Sequence, residues 1–411
     1  MSKMEDTEVI GRIRDEFPIL ERKTYGERPL VYLDNTASSQ TPREVLAEID
    51  NIYTLHKANV HRGVHLLSRE ATDLQEASRR SVAEFINAAS PEEVIFTRGT
   101  TEGINLVASS FGGEFRDGDE IILTVMEHHA NIVPWQLLRR HADIRIRVVP
   151  ITDDGALDLE EYRRLFNPRT RLASFCHVSN VLGTLNPVAE MIAIAHSHGV
   201  PVLVDGAQAA PHFPVDVRAL DADFYVFSSH KMYGPTGIGV LYGKRDLLEK
   251  MPPYQGGGEM IKHVSFEHTT FADLPFKFEA GTPDYVGIGA FPKALDFIRR
   301  TGWNTISGQE KMLLEFATEE MERIPGMKIY GTTPDKEAVI SFNVGTIHNY
   351  DLGLMLDRQG IAVRTGHHCA QPLMERLGVP GTVRASFAVY NTLRDAELFI
   401  EALRKAVAML S

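Results

Sequence analysis

Reactive side chains cluster in the segment Arg364–Ala370, which reads RTGHHCA. It holds Cys369, one of only two cysteines among 411 residues, directly after two histidines. Three roles suit a cysteine in this place: a metal ligand, a small buried side chain, or a nucleophile, since the thiolate is the reactive form of a thiol. The segment alone does not decide among them, and the other polar segments of the chain have to be considered.

A lysine lies in a second polar segment, FSSHKMYGPTGIGVL. Lys231 directly follows an apolar run, and Ser228 and His230 offer hydrogen bonds beside its amine. The glycines nearby permit close approach of the backbone to a ligand. A lysine in a turn is usually just solvated, but an amine in a partly dry site has a lowered pKa, which a Schiff-base lysine needs.

Two polar residues follow the apolar run PVLV. Asp205 ends this run, and a carboxylate buried there needs a partner because burying an unpaired charge is costly. A pyridinium nitrogen is a suitable partner, since pyridoxal phosphate needs a carboxylate to keep that nitrogen protonated so that the ring accepts electrons. Gln208, three residues further on, could donate to the ring hydroxyl.

Contacts to a phosphate and to a ring are offered by two more segments. In RGTTEGINLVA, Gly99, Thr100 and Thr101 lie where a strand-like run meets a helix-like run, and helix N-termini bind phosphate. Gly-Thr-Thr is equally a good helix cap. In MEHHANIVPW, His128 could stack on a planar ring. The histidine pair there is an alternative metal site, but no Cys-x-x-Cys or His-Glu-x-x-His spacing is present, so we expect no bound metal.

Alternating β-rich and helical runs must position these side chains. Apolar strands separated by helices predict a mainly parallel sheet with both faces covered. Ligands bind at the carboxyl ends of such strands, which is where the candidate residues fall. Together, the residue types specify pyridoxal phosphate. The predicted strands are 92–97, 119–125, 145–151, 170–178, 201–208, 221–229 and 237–243.

A second, smaller α+β unit is predicted in the last third of the chain. Residues 252–286 are rich in Gly, Pro and aromatics, and we interpret them as a long functional loop or interface segment. We predict a large cofactor-binding domain over 31–300 and a small domain from 1–30 and 301–411 that carries the cysteine. Its predicted strands are 338–345, 361–366 and 382–390, and its last helix is 393–410.

Composition excludes several classes of function. The formal net charge of -12 argues against a nucleic-acid binder, which needs a basic face, and leaves small substrates and protein partners open. No apolar run approaches the ~20 residues of a membrane helix, and the charged N-terminus is not typical of a secretory signal. Two cysteines are too few for a disulfide framework, so we expect a reducing, cytoplasmic setting.

Taken together, the segments resemble a SUF-type cysteine desulfurase of the short-loop group, in the class V aminotransferase family of fold-type I enzymes that use pyridoxal 5'-phosphate. The match runs from about residue 12 to the end and is specific because no single motif carries it. Ser229, where relatives often have glycine, Asp284 and Tyr285 receive no role. Besides the segments quoted above, the matching stretches are YLDNTASSQTP, VHRGVHLLSREAT, HVSNVLGTLNPV, FEAGTP, GIAVRTGHHCAQPLM and RASFAVYNT.

The resemblance implies an α/β fold of the fold-type I transferases and a set of cofactor contacts. Lys231 would form the Schiff base, Asp205 would pair with the pyridine nitrogen, and Gln208 would contact the ring oxygen. His128 would stack on the ring. The phosphate would be held by Thr100, Thr101, Ser228 and His230 and, from the neighbouring subunit of a homodimer with shared active sites, by Gly281 and Thr282.

The resemblance also implies how the substrate is bound. Arg384 would clamp the carboxylate of L-cysteine, because a guanidinium fork suits a carboxylate better than an ammonium does. Asn180 would assist it, Arg364 would lie near the substrate thiol, and His61 would lie at the site entrance.

Under the same resemblance, Cys369 is the nucleophile. Lys231 would remove the substrate's α-proton, and the Cys369 thiolate would take the sulfur as a persulfide while L-alanine leaves. His367, His368 and Arg364 are candidates to lower the pKa of the thiol. The sulfur would pass to an acceptor protein of the SUF system for iron–sulfur cluster assembly. We interpret the other cysteine, Cys176, as a small core residue.

Three alternatives stay open at this point. The first is a selenocysteine lyase, which relative rates on cysteine and selenocysteine would distinguish. The second is another reaction on the same fold, a class V transaminase or a kynureninase-like hydrolase, which would not need a cysteine at this position. The third is a catalytically silent scaffold in an iron–sulfur assembly complex, against which the intact set of reactive residues argues.

Overall fold

Apolar strands alternate with amphipathic helices along most of the chain, of which the computed structural model describes residues 3–411, with side chains from residue 8 onward. The helices are α1 (Lys3–Asp15), α2 (Arg43–Leu55), α3 (Leu66–Phe85), α4 (Thr100–Ser110), α5 (Val133–Leu137), α6 (Leu159–Leu165), α7 (Val188–Ser197), α8 (Arg245–Lys250), α9 (Tyr285–Thr301), α10 (Trp303–Glu322), α11 (Asn349–Asp357), α12 (Gln371–Leu377) and α13 (Leu393–Leu410). The strands are β1 (Val31–Tyr32), β2 (Val94–Thr97), β3 (Glu120–Thr124), β4 (Arg145–Val149), β5 (Thr170–Cys176), β6 (Val202–Asp205), β7 (Phe224–Ser228), β8 (Gly239–Gly243), β9 (Ile261–Val264), β10 (Thr269–Phe271), β11 (Met327–Tyr330), β12 (Val339–Val344), β13 (Ile361–Ala362), β14 (Arg364–Gly366) and β15 (Thr382–Ser386).

The large sheet has seven strands in the order β2-β8-β7-β6-β5-β3-β4. Strands β4, β3, β5, β6 and β7 pair in parallel, and β8 runs antiparallel to both of its neighbours. Alternate residues of β7 enter different apolar clusters: Phe224 and Val226 pack with α4, while Tyr225 and Phe227 pack in the cluster that contains α7 and α9. The predicted mainly parallel sheet with two covered faces is thus confirmed.

The carboxyl ends of the strands meet at one edge of this sheet. Cys176 at the end of β5 is paired with Asp205 at the end of β6, and Asp205 is paired with Val226 of β7. Gly239 of β8 lies between Thr97 and Ser228, the last residues of β2 and β7. A Cβ atom at Gly239 would approach the Gly99 Cα to 2.4 Å, so glycine is required there for the turn into α4 to reach the edge.

The smaller sheet is antiparallel, in the order β11-β12-β15-β14, and packs with α10, α11 and α13 around its own apolar cluster. The predicted strand 361–366 is two strands: β13 pairs with β1, and β14 pairs with β15. Strand β11 was not predicted from the sequence. Helix α1 contacts both parts of the structure. Its Ile10 and Ile13 join the apolar cluster of the large sheet, while Arg14 bonds to Asp395 of α13 at 2.7 Å. The assignment of residues 1–30 to the small domain therefore stays a prediction.

Residues 252–286 contain a hairpin, β9–β10, inside an otherwise irregular path. Phe266 at its tip is fully exposed. Asp284, which the sequence left without a role, caps α9 by accepting a hydrogen bond from Gly287 N–H at 3.0 Å. Among the helices that the structure describes, none is both long and apolar enough to cross a membrane.

Candidate active site

A pocket of about 220 Å³ opens at the carboxyl edge of the large sheet and extends to Cys369, between β14 and α12. It collects most of the residues predicted from the sequence. The predicted residues that line it are Thr100, Thr101, His128, Asn180, Asp205, Gln208, Ser228, His230, Lys231, Arg364, Cys369 and Arg384.

Lys231 ends a single 3-10 turn that directly follows β7. The turn is tied to the loop after β1, since Ser39 N–H donates to the His230 carbonyl at 3.0 Å. Loss of water around the amine lowers the pKa of Lys231 to about 8, although the charge of Asp205 opposes this shift. About a tenth of the amine is therefore neutral at pH 7, whereas a lysine with the ordinary pKa of about 10.4 is almost fully protonated. The neutral form is the one that acts as a nucleophile or a general base.

The carboxylate of Asp205 is buried, with 6% exposure, and Ala207 N–H donates to its Oδ1 at 2.9 Å. Desolvation raises its pKa, and the charge of Lys231 counteracts this only in part. A cationic ring nitrogen in the pocket would supply the missing compensation. Gln208 Nε2 donates to the Thr36 carbonyl at 2.7 Å, which fixes the amide and leaves its second N–H for a ligand.

The N-terminus of α4 forms a cradle for an anion. Ser228 Oγ accepts the Thr100 N–H at 2.8 Å and lies 2.8 Å from Thr100 Oγ1, while the other first-turn amides of α4 remain for a phosphate. His230 lies beside it, with Nδ1 3.3 Å from Ser38 Oγ. Desolvation and the charge of Lys231 lower the pKa of His230 to about 4, so this ring is neutral at pH 7.

His128 presents a neutral ring to the pocket. Desolvation first, and then the charge of Lys231, lowers its pKa to about 3. Its Nδ1 accepts the Ala130 N–H at 3.0 Å, which places the ring proton on Nε2. A neutral imidazole held in this way suits stacking on a planar cofactor ring.

Two arginines face each other across β14 and β15 in the same register, and both contact Asp34. Arg384 Nη2 lies 3.3 Å from Asp34 Oδ1, and Arg364 Nη1 lies 3.6 Å from Oδ2. Arg384 also donates from Nη1 to the Asn180 carbonyl at 2.8 Å, whereas its buried Nε has no partner among the described residues. This free donor fits a substrate carboxylate. Asp34 was missed from the sequence, although it lies in the quoted stretch YLDNTASSQTP.

Cys369 lies in the four-residue connection between β14 and α12, which we call the nucleophile loop (residues 367–370). Cys369 and His368 have φ angles of 55° and 52°, a left-handed conformation that L-residues rarely adopt. Asn180 Nδ2 donates to the His368 carbonyl at 2.8 Å, so the residue expected to assist Arg384 contacts both that arginine, through its main-chain carbonyl, and the loop.

His368 was expected to help lower the pKa of the nucleophile, and the structure argues against this role. Its Nε2 lies 2.8 Å from Thr382 Oγ1, and burial lowers its pKa to about 2, with Arg384 contributing. A neutral ring supplies no positive charge to a thiolate. The roles expected of His367 and Arg364 stay predictions.

His129 entered the sequence analysis only as half of the histidine pair considered as an alternative metal site. A nitrogen of His129, a nitrogen of His367 and the sulfur of Cys369 lie within 4.8 Å of one another, which is close enough to hold a metal ion. However, His129 Nε2 accepts the Gln371 N–H and His367 Nδ1 accepts the Cys369 N–H, both at 3.1 Å. Each neutral ring then carries its proton on the other nitrogen, which disfavours metal ligation.

Three predicted residues lie outside the pocket of their own chain, in the region of the 252–286 segment. The His61 ring packs edge-on against Phe276, with centroids 5.0 Å apart. Thr282 Oγ1 donates to Asn59 Oδ1 at 3.2 Å, and Gly281 N–H donates to the Gly258 carbonyl at 2.9 Å. Within one chain the structure therefore does not bring them to the other site residues.

Comparisons with known proteins show the family of the chain. The family model described as Aminotransferase class-V matches residues 31–399. A cysteine desulfurase from Escherichia coli O127:H6 is 51% identical over 403 residues, which cover 98% of this chain and 99% of the relative. The crystal structure of the cysteine desulfurase CsdA (S-sulfonic acid) from Escherichia coli has a TM-score of 0.90 at 39% identity, over 98% of this chain and 99% of that one.

A more distant solved structure shows a ligand. It is a mutant of C-DES with glycine covalently linked to the pyridoxal-phosphate cofactor, and it has a TM-score of 0.82 at 25% identity, over 95% of this chain and 98% of that one. The match to the family model spans most of the chain, and the identity to the cysteine desulfurases extends over its whole length. The chain therefore belongs to the class V aminotransferase family and, within it, to the cysteine desulfurases.

Proposed function

We propose that the chain converts L-cysteine to L-alanine and carries the sulfur as a persulfide on Cys369, as a source of sulfur for iron–sulfur cluster assembly. The observation that carries the proposal is that Lys231, Asp205, Arg384 and Cys369 all line one pocket. Enzymes of this family depend on pyridoxal phosphate, and the C-DES structure holds that cofactor.

The pocket residues fit pyridoxal phosphate. The buried Asp205 carboxylate would pair with the pyridine nitrogen, Gln208 with the ring oxygen, and the neutral His128 ring would cover one face. The phosphate would lie at the N-terminus of α4, near Ser228 and His230. When bound, the cofactor supplies an electron sink that stabilises negative charge at the substrate's Cα.

The chain's own residues would then divide the work. Arg384 would bind and orient the substrate carboxylate with its free Nε and fork. Lys231 Nζ, with a pKa of about 8, would take the Cα proton. The Cys369 thiolate would attack the substrate sulfur, so that the Sγ–S bond forms as the substrate's C–S bond breaks. None of these steps requires a metal ion.

Arg384→Lys is expected to raise the KM for cysteine while cofactor binding is kept. Loss of a two-pronged contact to a carboxylate costs about 1.5–3 kcal/mol, which corresponds to at least tenfold in KM. Steady-state kinetics and cofactor titration measure the two effects. Arg147→Lys is a matched control, since this guanidinium lies on strand β4 outside the pocket and pairs with Glu120. Unchanged KM and kcat would show that another residue holds the carboxylate.

The sulfur acceptor would have to reach into the pocket. The nucleophile loop has only four residues between β14 and α12, and two of its carbonyls are held from outside, that of Cys369 by the His129 N–H and that of His368 by Asn180 Nδ2. A short, tethered loop cannot carry a persulfide to a distant acceptor. Persulfide removal would therefore limit turnover with cysteine alone.

A burst experiment tests this limit. With cysteine and a weak reductant, we expect a fast burst of about one alanine per site and then slow turnover. A small sulfur-accepting protein with a reactive cysteine should raise the slow rate by about tenfold or more, because it frees the site for the next cycle. Linear, fast turnover that no acceptor changes would contradict the proposal.

We further propose a homodimer with shared active sites. The positions of His61, Gly281 and Thr282 outside their own pocket and the exposed apolar tip of the β9–β10 hairpin support it, because a second copy could bring them to the neighbouring site. Selenocysteine is proposed as a second substrate. A cytoplasmic location is proposed as well, and the free state of both Cys176 and Cys369 supports it.

A further inference from the structure

The nucleophile loop is fixed from outside by two residues, His129 and Asn180, which lie in the segments that follow strands β3 and β5 of the large sheet. Its left-handed pair, His368 and Cys369, is an unfavourable conformation that persists only where the surroundings hold it. Asn180 holds the His368 carbonyl at 2.8 Å. The other hydrogen bonds from that side come from His129, which neither the resemblance nor the mechanism above uses.

His129 brackets the nucleophile with two hydrogen bonds. Its main-chain N–H donates to the Cys369 carbonyl at 2.7 Å, and its ring Nε2 accepts the Gln371 N–H at 3.1 Å. Its ring also lies 5.5 Å, centroid to centroid, from that of His367, whose Nδ1 accepts the Cys369 N–H. His129 therefore contacts the main chain at Cys369 and again at Gln371.

The turn that carries His129 is itself firmly supported. Asn131, in the same 3-10 turn, is fully buried and bonds to Glu127 Oε2 at 2.7 Å, and its Oδ1 accepts from Trp135 and Ser174 at 3.0 and 2.6 Å. Glu127 Oε1 in turn accepts the Cys176 N–H of β5 at 3.1 Å. This buried network connects the sheet to the turn, and rigid support of this kind is what a positioned reactive group requires.

We propose that His129 is a positioning residue, whose ring acceptor fixes the nucleophile loop so that the Cys369 sulfur faces the substrate. The inference rests on the proposed role of Cys369 as the nucleophile. Desolvation and the neighbouring His367 lower the pKa of His129, which keeps the Nε2 lone pair available as an acceptor at neutral pH. The adjacent His128 is proposed to cover one face of the cofactor ring. One short turn would therefore position both the residue that contacts the cofactor and the loop that carries Cys369.

The test compares His129→Ala with His129→Gln and with His141→Ala, an exposed histidine outside the pocket. Alanine removes the ring acceptor but keeps the main-chain N–H, whereas the glutamine carbonyl can accept the same Gln371 N–H. Rapid-quench mass spectrometry measures the first-turnover rate of persulfide formation on Cys369. We expect His129→Ala to slow it by about 10–100-fold, the cost of a small misplacement of a reacting group. His129→Gln should restore most of the rate, and His141→Ala should keep it.

Two further measurements separate positioning from damage. The visible absorbance of the bound cofactor and the KM for cysteine should stay unchanged in His129→Ala, because Lys231 and Arg384 are untouched. In cofactor-free protein, iodoacetamide should alkylate Cys369 several times faster in His129→Ala, since a loosened loop opens more often. A wild-type rate of persulfide formation in His129→Ala overturns the proposal whatever the alkylation rate, as does a glutamine variant as slow as the alanine variant.

Failure of this inference is distinguishable from failure of the proposed function. If Cys369→Ser is inactive toward cysteine while His129→Ala keeps the wild-type rate, only the positioning role is lost. If Cys369→Ser itself releases alanine from cysteine at the wild-type rate, Cys369 is not the nucleophile and the role of His129 falls with it.

Discussion

Replacing Lys231 with alanine is expected to remove the visible absorbance of the lysine-bound cofactor and to lower the turnover of cysteine by about 10³-fold or more. The expectation combines two functions of one amine, the covalent link to the cofactor and the transfer of the Cα proton, and general-base catalysis alone contributes 10²–10⁴-fold. A spectrum of the purified variant after addition of pyridoxal phosphate, together with an alanine assay, measures both effects.

Lys336→Ala is a matched control for this experiment. Lys336 is also largely shielded from water, and desolvation lowers its pKa to about 8 as well, but its amine donates to the Gly331 carbonyl and lies outside the active-site pocket. The Lys336 variant should keep the absorbance and the activity. Alanine production at the wild-type rate by the Lys231 variant would contradict the cofactor assignment.

The structure brings together those predicted site residues that lie at the ends of apolar strands. Asp205 ends β6, and Lys231 follows β7 by a single turn, so a parallel sheet was enough to bring them together. The turn into α4 was recognisable because Gly99 directly precedes a helical pattern. In these cases local sequence and sheet topology together determine the position.

Features that depend on contacts between distant segments were not predictable in the same way. His129 differs in the sequence from its neighbour His128 only by position, and its ring bond to Gln371, directly after the nucleophile loop, spans 242 residues. Asp34 contacts both arginines only because the segment after β1 runs beside β15, where Ser386 N–H bonds to the Leu33 carbonyl. The run 361–366 read as one strand because no polar or glycine residue marks the change of partner between β13 and β14.

The role assigned to His368 shows a further limit of reading a motif. Two adjacent histidines before a cysteine suggest two cations near a thiolate, yet one ring is buried against Thr382 and the other is close to the sulfur. Burial keeps the ring of His368 neutral, whereas a cation was expected. Which of the two histidines is buried depends on the packing of β15 against the nucleophile loop, and the motif does not show this packing.

Cys369→Ser is expected to keep the bound cofactor and to lose release of alanine from cysteine. The hydroxyl is a poor substitute because sulfur transfer needs a thiolate that can form a persulfide, while Lys231, Asp205 and Arg384 remain in place to bind cofactor and substrate. With selenocysteine the same variant should keep some activity, since selenium leaves more readily than sulfur. Alanine assays on both amino acids and mass spectrometry of the protein-bound persulfide measure these outcomes.

The second cysteine provides the matched control for this substitution. Cys176 is buried at the end of β5, and desolvation, aided by Glu127 and Asp205, raises the pKa of its thiol well above the ordinary value. Such a thiol stays protonated and unreactive, so Cys176→Ala should retain persulfide formation, with a cost confined to packing. Loss of the persulfide in the Cys176 variant, or its persistence together with alanine release in the Cys369 variant, would assign the sulfur chemistry to a different residue. Because Cys176 is buried and Cys369 is partly exposed while both line the same pocket, the pair of variants separates the effect of a reactive thiolate from that of any cysteine at the site.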